Sequence, residues 1–385
     1  MDPFLSASNV EVSNHIPDDI VFSILSKLSL KSLKRFESVC KPWSLLFDNP
    51  NFMTMYRNYF ISTDHSFYDD ISFLLHLKED DTVYSLSEER YENITKLDLQ
   101  KLSLRYRRRD NYSFDIFSPI SFNGTLYLQY YNKGGNPKFT LWKPTTAEFR
   151  IISAEYNHFS QFWSDHYQVG YDHVKDEYKM IRCTHGPPGS MPEISYFWEI
   201  YSLNNNSWRK IDDFPHSSIC GDEVYLDGVS HWWGKTKTHI NLESFDFSKE
   251  SFITTPMPSY ADDAFDFSST RTRILTILNG SIAFIVNYEE AKIFHISILG
   301  ELGVRESWTE LFIVGPLPCL QMPIGIGKKG NVLIRKEDNK LAWFDISSGT
   351  MDEIAVTAKS HGQILFYKEN FVPDGGIYSK FPLQI

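Results

Sequence analysis

Ser244-Phe245-Asp246-Phe247 leads through Ser248-Lys249 to Glu250-Ser251-Phe252-Ile253. Aromatic and β-branched residues flank a short polar turn, a pattern that predicts two strands joined as a hairpin. The same texture recurs on both sides. Leu141-Trp142-Lys143-Pro144 leads to Glu148-Phe149-Arg150-Ile151, and Ile200-Tyr201-Ser202-Leu203 leads to Ser207-Trp208-Arg209. Further on, Ile293-Phe294-His295-Ile296 leads to Ser307-Trp308-Thr309, and Ala342-Trp343-Phe344-Asp345 leads to Thr350-Met351-Asp352. The anchor positions 149, 208, 252, 308 and 351 are spaced by 59, 44, 56 and 43 residues. A fainter copy is Thr82-Val83-Tyr84-Ser85-Leu86 followed by Tyr91 to Leu97. Several copies follow a turn and strand such as Asp227-Gly228-Val229 or Asn279-Gly280-Ser281-Ile282. A period near about 50 residues with roughly four short strands per unit is the pattern of a β-propeller. Radial repetition also protects the edges of so many aromatic strands. The expected fold is α+β and mainly β, with a β-propeller-like domain of about six small blades; a β-sandwich is the alternative.

Composition agrees with a strand-rich globular chain. The 385 residues include 29 Phe, 21 Tyr and 9 Trp, with 42% hydrophobic and 23% charged residues. A formal charge of -11 argues against a general nucleic-acid binder. The one basic run, Arg105-Tyr106-Arg107-Arg108-Arg109, reads as a solvated loop. Cys40, Cys183, Cys220 and Cys319 form no Cys-x-x-Cys pair, which suits a reducing compartment. The start lacks a basic region followed by an apolar run, and the most apolar segment, Ile274 to Val286, is too short to span a membrane. The expectation is a cytoplasmic or nuclear protein that meets no membrane.

From His15 to Tyr59 the texture is different. Ile20, Ile24, Leu25 and Leu28 fall on one face at helical spacing, with Pro17, Asp18 and Asp19 at the positive end of that helix. A second stripe follows at Leu33, Phe36, Val39 and Cys40; Pro42 then breaks or restarts the helix, and Trp43, Leu46 and Phe47 continue the apolar face. This stretch carries a charge of +2 and the rest of the chain -13. So short a unit cannot bury all its large apolar side chains alone. Either it packs on its own protein or its spare face belongs to a partner. The expected division is a flexible tail over 1–14, a three-helix unit over 15–60, a linker and first weak repeat over 61–110, and the β domain over 111–385.

The order of residues in Ile16-Pro17-Asp18-Asp19-Ile20 through Leu28, then Leu33-Lys34-Arg35-Phe36 and Val39-Cys40-Lys41-Pro42-Trp43, resembles the F-box. Ile16 stands where Leu is usual, Glu37 where a basic residue is common, and Ser29 where Pro is usual, a place from which it can cap the next helix. Farther on, Lys143-Pro144-Thr145-Thr146-Ala147-Glu148, Val169-Gly170-Tyr171-Asp172, Tyr178-Lys179-Met180-Ile181-Arg182, Tyr201-Ser202-Leu203 and Ser207-Trp208-Arg209 are similar to the F-box-associated domain of plant F-box proteins. Together these resemblances imply a substrate-receptor subunit of a Skp–cullin–F-box ubiquitin ligase. Its F-box binds the Skp-family adaptor, which brings the cullin and RING subunits, and its β domain recruits a target protein for ubiquitination. The residues implied in adaptor binding are Ile16, Pro17, Ile20, Ile24, Leu25, Leu28, Leu33, Phe36, Val39 and Trp43, some of which belong to the unit's internal core.

No catalytic constellation stands out, so a non-catalytic chain without cofactor or metal is expected. Gly325-Ile326-Gly327-Lys328-Lys329-Gly330 lacks the order that cradles phosphate and reads as a turn. The histidines lack metal-ligand spacing. Asp212-Asp213 and Asp262-Asp263 do not form a glycosidase-type pair. His231, Trp232 and Trp233 are candidates for a target groove, with core packing as the other reading. A carbohydrate-binding or carbohydrate-active propeller is the alternative from a different class.

Overall fold

The chain divides into two units, Met1–Thr63 and Asp64–Ile385. The computed structural model describes residues 16–39, 41–62, 71–77, 82–86, 94–96, 113–115, 121–122, 125–131, 138–143, 148–152, 163–185, 196–215, 217–236, 238–258, 271–327, 330–359, 362–368 and 379–380.

The first unit is helical. Its expected helices are α1 (Asp18–Leu25), α2 (Leu30–Phe36) and the single turn α3 (Lys41–Ser44), and a longer helix, α4 (Pro50–Ser62), follows them. Pro17 stands at the head of α1, where a missing N–H costs nothing, and its carbonyl accepts from the Ile20 and Val21 amides. Ser29 caps α2, its hydroxyl accepting from the Ser32 amide, as its place in the sequence suggests. The Asn49 side chain caps α4 by accepting from the Asn51 and Phe52 amides at 3.0 and 3.2 Å. No helix among the described residues is long and apolar enough to cross a membrane.

The second unit is a β-propeller of antiparallel sheets. Sheet I holds Ile71–Leu77, Thr82–Leu86, Ile94–Lys96 and, from the far end of the chain, Gly362–Lys368. Sheet III runs from Trp163–Asp172 to Ser207–Ile211, sheet IV from Ser218–Leu226 to Ser251–Pro256, sheet V from Arg271–Leu278 to Trp308–Val314, and sheet VI from Leu320–Ile326 to Met351–Thr357, each with four strands in sequence order. Sheet II is larger: five of its six strands run from Ser113–Asp115 to Glu148–Ile152, and the sixth, Ser379–Lys380, pairs with Glu148 and Phe149 at its edge. The expectation of about six small blades is therefore corrected to five four-stranded blades. Sheet II departs from the pattern because Ser113–Asp115 and Ser121–Phe122 both pair with Thr125–Tyr131 and Ser379–Lys380 adds beyond Glu148–Ile152.

Neighbouring sheets pack through their inner strands: Ser218–Leu226 on Arg271–Leu278, Arg271–Leu278 on Leu320–Ile326, and Leu320–Ile326 on Gly362–Lys368. Gly362–Lys368 is bonded along its length to Ile71–Leu77, from Leu77 opposite Gly362 to Ile71 opposite Lys368. A strand from the end of the chain thus completes the first sheet. The core lies between the sheets, with Leu75, Phe284, Leu333 and Leu341 fully enclosed. All five anchor positions fall on outermost-type strands, at the first or second residue of Glu148–Ile152, Ser207–Ile211, Ser251–Pro256, Trp308–Val314 and Met351–Thr357.

One turn design recurs at the strand ends. Asp172 accepts from the Val174 and Lys175 amides, Asp246 from Ser248 and Lys249, and Asp345 from Ser347 and Ser348. Each turn closes on a left-handed residue: Asp176 at φ 54°, Glu250 at φ 56° and Gly349 at φ 70°. A short polar side chain satisfies the amides that the turn exposes, which explains why Asp ends so many strands.

Side chains also tie sheet to sheet. Arg150 donates to the Leu203 carbonyl, Trp308 Nε1 to the Pro256 carbonyl, and Lys292 Nζ to the Leu320 carbonyl. Gly170 of sheet III is open to a close approach by sheet IV: a Cβ there would lie 2.1 Å from the Phe247 ring.

Leu365 on the closing strand is fully buried among Leu74, Val83, Leu126, Leu128 and Trp142. Leu365→Ala is expected to lower unfolding stability by about 2–5 kcal/mol. Ile313→Ala, at a position 60% exposed, should stay within about 0.5 kcal/mol of wild type. Chemical denaturation of both variants checks the contrast.

Candidate functional site

The helical unit has a core and a separate apolar surface. α4 supplies most of the core: Phe52, Met53, Tyr56 and Phe60 are buried with Leu25, Leu30, Leu33 and Leu46. Phe22 meets Phe52 edge-on at 5.6 Å, Phe47 lies 6.1 Å from Phe52, and Phe52 stacks on Tyr56 at 6.1 Å. Lys34 Nζ sits 4.2 Å over the Phe47 ring while binding Glu37 at 3.2 Å. Glu37, the acid that departs from the F-box pattern, thus steadies a lysine that covers the core.

The residues implied in adaptor binding separate into three groups. Leu25 and Leu33 are buried in the unit itself. Leu28, Phe36 and Trp43 are half-buried, with Phe36 and Trp43 edge-on at 5.6 Å. Ile16, Pro17, Ile20, Ile24 and Val39 are exposed. α1 ends at Leu25, so Leu28 lies in the following turn and not on the helix face read from its spacing. Val39 likewise lies beyond the end of α2, and Cys40 is outside the described residues. Ile16, Ile20 and Ile24 succeed one another at four-residue steps, and their side chains are 57%, 47% and 56% exposed. Leu45, 61% exposed, joins them, although spacing alone gave no reason to single it out. Of eight large apolar side chains exposed among the described residues, five belong to this small unit, which marks it as the chain's apolar surface.

His231, Trp232 and Trp233 do not line a groove. They are 2%, 1% and 2% exposed on Val229–Lys235, where the His231 Nδ1 and Ser244 hydroxyl lie 2.8 Å apart. Trp198 lies tilted against Trp232 at 5.5 Å, and Phe284 meets Trp233 edge-on at 6.0 Å. As target-binding candidates they are corrected: both faces of this strand are enclosed by neighbouring sheets. Asp212 and Asp213 lie in an exposed bend after Ser207–Ile211, while Asp262-Asp263 and the basic run at 105–109 lie outside the described residues. Among the described residues no group of three or more His, Cys, Asp or Glu is placed to hold a metal ion.

The chain thus combines a helical unit that carries exposed apolar side chains with a β-propeller. Residues 14–54 match the F-box domain and residues 74–371 the F-box associated beta propeller domain. The chain belongs to the family of plant F-box proteins with an F-box-associated propeller. F-box protein ETP2 of Arabidopsis thaliana is 25% identical over 353 residues, covering 86% of this chain and 84% of that protein. An F-box/kelch-repeat protein of the same plant is 24% identical over 387 residues, covering 96% and 92%. Among solved structures, TolB from Acinetobacter baumannii aligns with a TM-score of 0.41 and 11% identity over 77% of this chain and 66% of that one.

Burial holds the His231 imidazole down, to about 3. An unfolded histidine titrates near about 6.5, so the unfolded chain takes up a proton first as pH falls. This residue's contribution to stability is complete above pH about 6.5 and is lost toward pH about 3, by up to about 1.4 kcal/mol per pH unit. Thermal melts between pH 7 and 4.5 are expected to show this slope in wild type and a shallower one in His231→Gln.

Proposed function

We propose that this chain is the substrate receptor of a Skp–cullin–F-box ubiquitin ligase. The observation that carries the reading is the outward apolar set Ile16, Ile20, Ile24, Val39 and Leu45 on a unit whose core is already filled. These side chains gain little by staying in water, and burying them on a Skp-family adaptor removes that exposure. Family membership supports the same partner. Cullin and RING subunits then come through the adaptor, and the propeller holds the target.

In this reading the chain makes and breaks no bond. It brings target lysines close to a charged conjugating enzyme and raises their effective concentration there. Neither Cys183 nor Cys319 forms a disulfide, which suits work in the cytoplasm or nucleus.

Co-purification with a Skp-family adaptor tests the proposal. Ile20→Asp/Ile24→Asp should leave the fold intact by circular dichroism and weaken adaptor binding at least about 30-fold, as loss of central anchors does. Leu33→Ala should instead lower the unit's stability, because Leu33 is fully enclosed. Retention of the adaptor at wild-type strength by the folded double variant would sink the proposal.

A further inference from the structure

Three cations from sheet III converge on one carboxylate from sheet IV. Lys179 Nζ lies 2.6 Å and Lys175 Nζ 3.3 Å from Glu250 Oε1, and Arg209 pairs with Glu250 Oε2. They line a small notch whose walls include Ser202 and Ser207. At its base Lys179 is 2% exposed; it also pairs with Asp172 and donates to the Phe247 carbonyl at 3.1 Å. Burial alone would raise the Asp172 carboxyl; the Lys179 ammonium and the turn amides outweigh it and bring it to about 2. Every cation in the notch comes from one sheet, so the receptor for a carboxylate is complete before sheet IV arrives.

Glu250 is an unusual choice for its own position. At the equivalent turn positions Asp176, Asn206 and Gly349 are types that accept left-handed backbone at low cost, whereas Glu250 at φ 56°, like Lys292 at φ 57°, lacks that preference. The turn does not call for glutamate; the notch does. With Glu250 withdrawn, the carboxylates left beside Lys175, Lys179 and Arg209 among the described residues are Asp172 and Glu177, which leaves one positive charge uncompensated. The Lys175 and Arg209 side chains are 57% and 54% exposed, so an anion can approach them from solvent.

We propose that the notch is an anion receptor occupied in this structure by the chain's own Glu250, and that an acidic side chain of a captured target takes its place. The anion's origin in a target rests on the receptor function proposed above; the notch itself does not. Charge-assisted contacts from lysine and arginine suit either a carboxylate or a phosphate.

The test uses the full chain and two probes, inorganic phosphate and tetraglutamate, titrated calorimetrically at constant ionic strength against chloride. Glu250→Gly removes the carboxylate and suits the backbone; Glu250→Gln keeps the shape and loses the charge. Both are expected to bind the probes at least tenfold more tightly than wild type. Adding Lys175→Ala/Arg209→Ala should abolish the gain. Binding no tighter than wild type in either variant, or a gain that survives loss of both cations, overturns the proposal. The adaptor takes no part in the assay, so this failure is distinct from a failure of adaptor docking. Phosphate bound without tetraglutamate would assign the notch to phosphorylated targets; the reverse would assign it to carboxylates.

Discussion

The pairing of Gly362–Lys368 with Ile71–Leu77 is the constraint on which the propeller depends. Until it forms, sheet I lacks its inner strand and Ile71–Leu77 is an open edge, a template for unwanted pairing. Once it forms, Leu365 and Tyr367 pack with Leu74 and Val83 and with Leu126, Leu128 and Trp142 of sheet II. One strand therefore satisfies a ladder of backbone groups and joins two sheets. It also fixes the order of events: contacts between opposite ends of a chain have a high closure cost and form late. Ser379–Lys380, added to sheet II beyond this point, extends the same closure by one short strand.

A different economy governs the helical unit. Its size allows only a small core, and α4 fills that core with stacked and edge-on aromatics. With Phe52 and Tyr56 inside, Leu25 and the Phe22 ring hold α1 down, and Ile20 and Ile24 are left facing water. The apolar surface is thus a consequence of a core completed from elsewhere. That is why the unit can be folded and still present a sticky face.

Much of the propeller was legible in the sequence. Phe149, Trp208, Phe252, Trp308 and Met351 fall at the start of corresponding strands because strand, turn and strand each leave a local mark: aromatic or branched residues, then a polar turn, then an aromatic or bulky residue. Sheet closure was not legible, since Gly362–Lys368 pairs with residues far away in sequence and carries no sign of its partner. The extra strand of sheet II is hidden for the same reason. In the helical unit, spacing identified the apolar positions on α1 but not their direction, because Ile24 and Leu25 are adjacent and only the position of α4 decides which is buried. Leu45 was missed for want of any periodic neighbour. His231, Trp232 and Trp233 show the opposite limit: aromatic residues that suit a groove also suit a strand buried on both faces.

The ionic tie between sheets III and IV is set apart by the burial of its lysine. Arg150 and Trp308 join their sheets by single donations to backbone carbonyls, and Lys292 adds to its donation to the Leu320 carbonyl an ion pair with the exposed Glu337. At the III–IV boundary the close packing of Phe247 on Gly170 already supplies the contact that holds the sheets together. Removing Lys179 from water there carries a desolvation cost that is offset by the anions beside it, Asp172 and Glu250 in this structure. An apolar residue would fill such a boundary at lower cost, as Leu, Ile and Phe do elsewhere in this core. A buried ammonium kept beside two solvent-facing cations is therefore hard to explain by stability alone. It is explained if the charge itself is wanted, held rigid beneath a notch that opens to solvent.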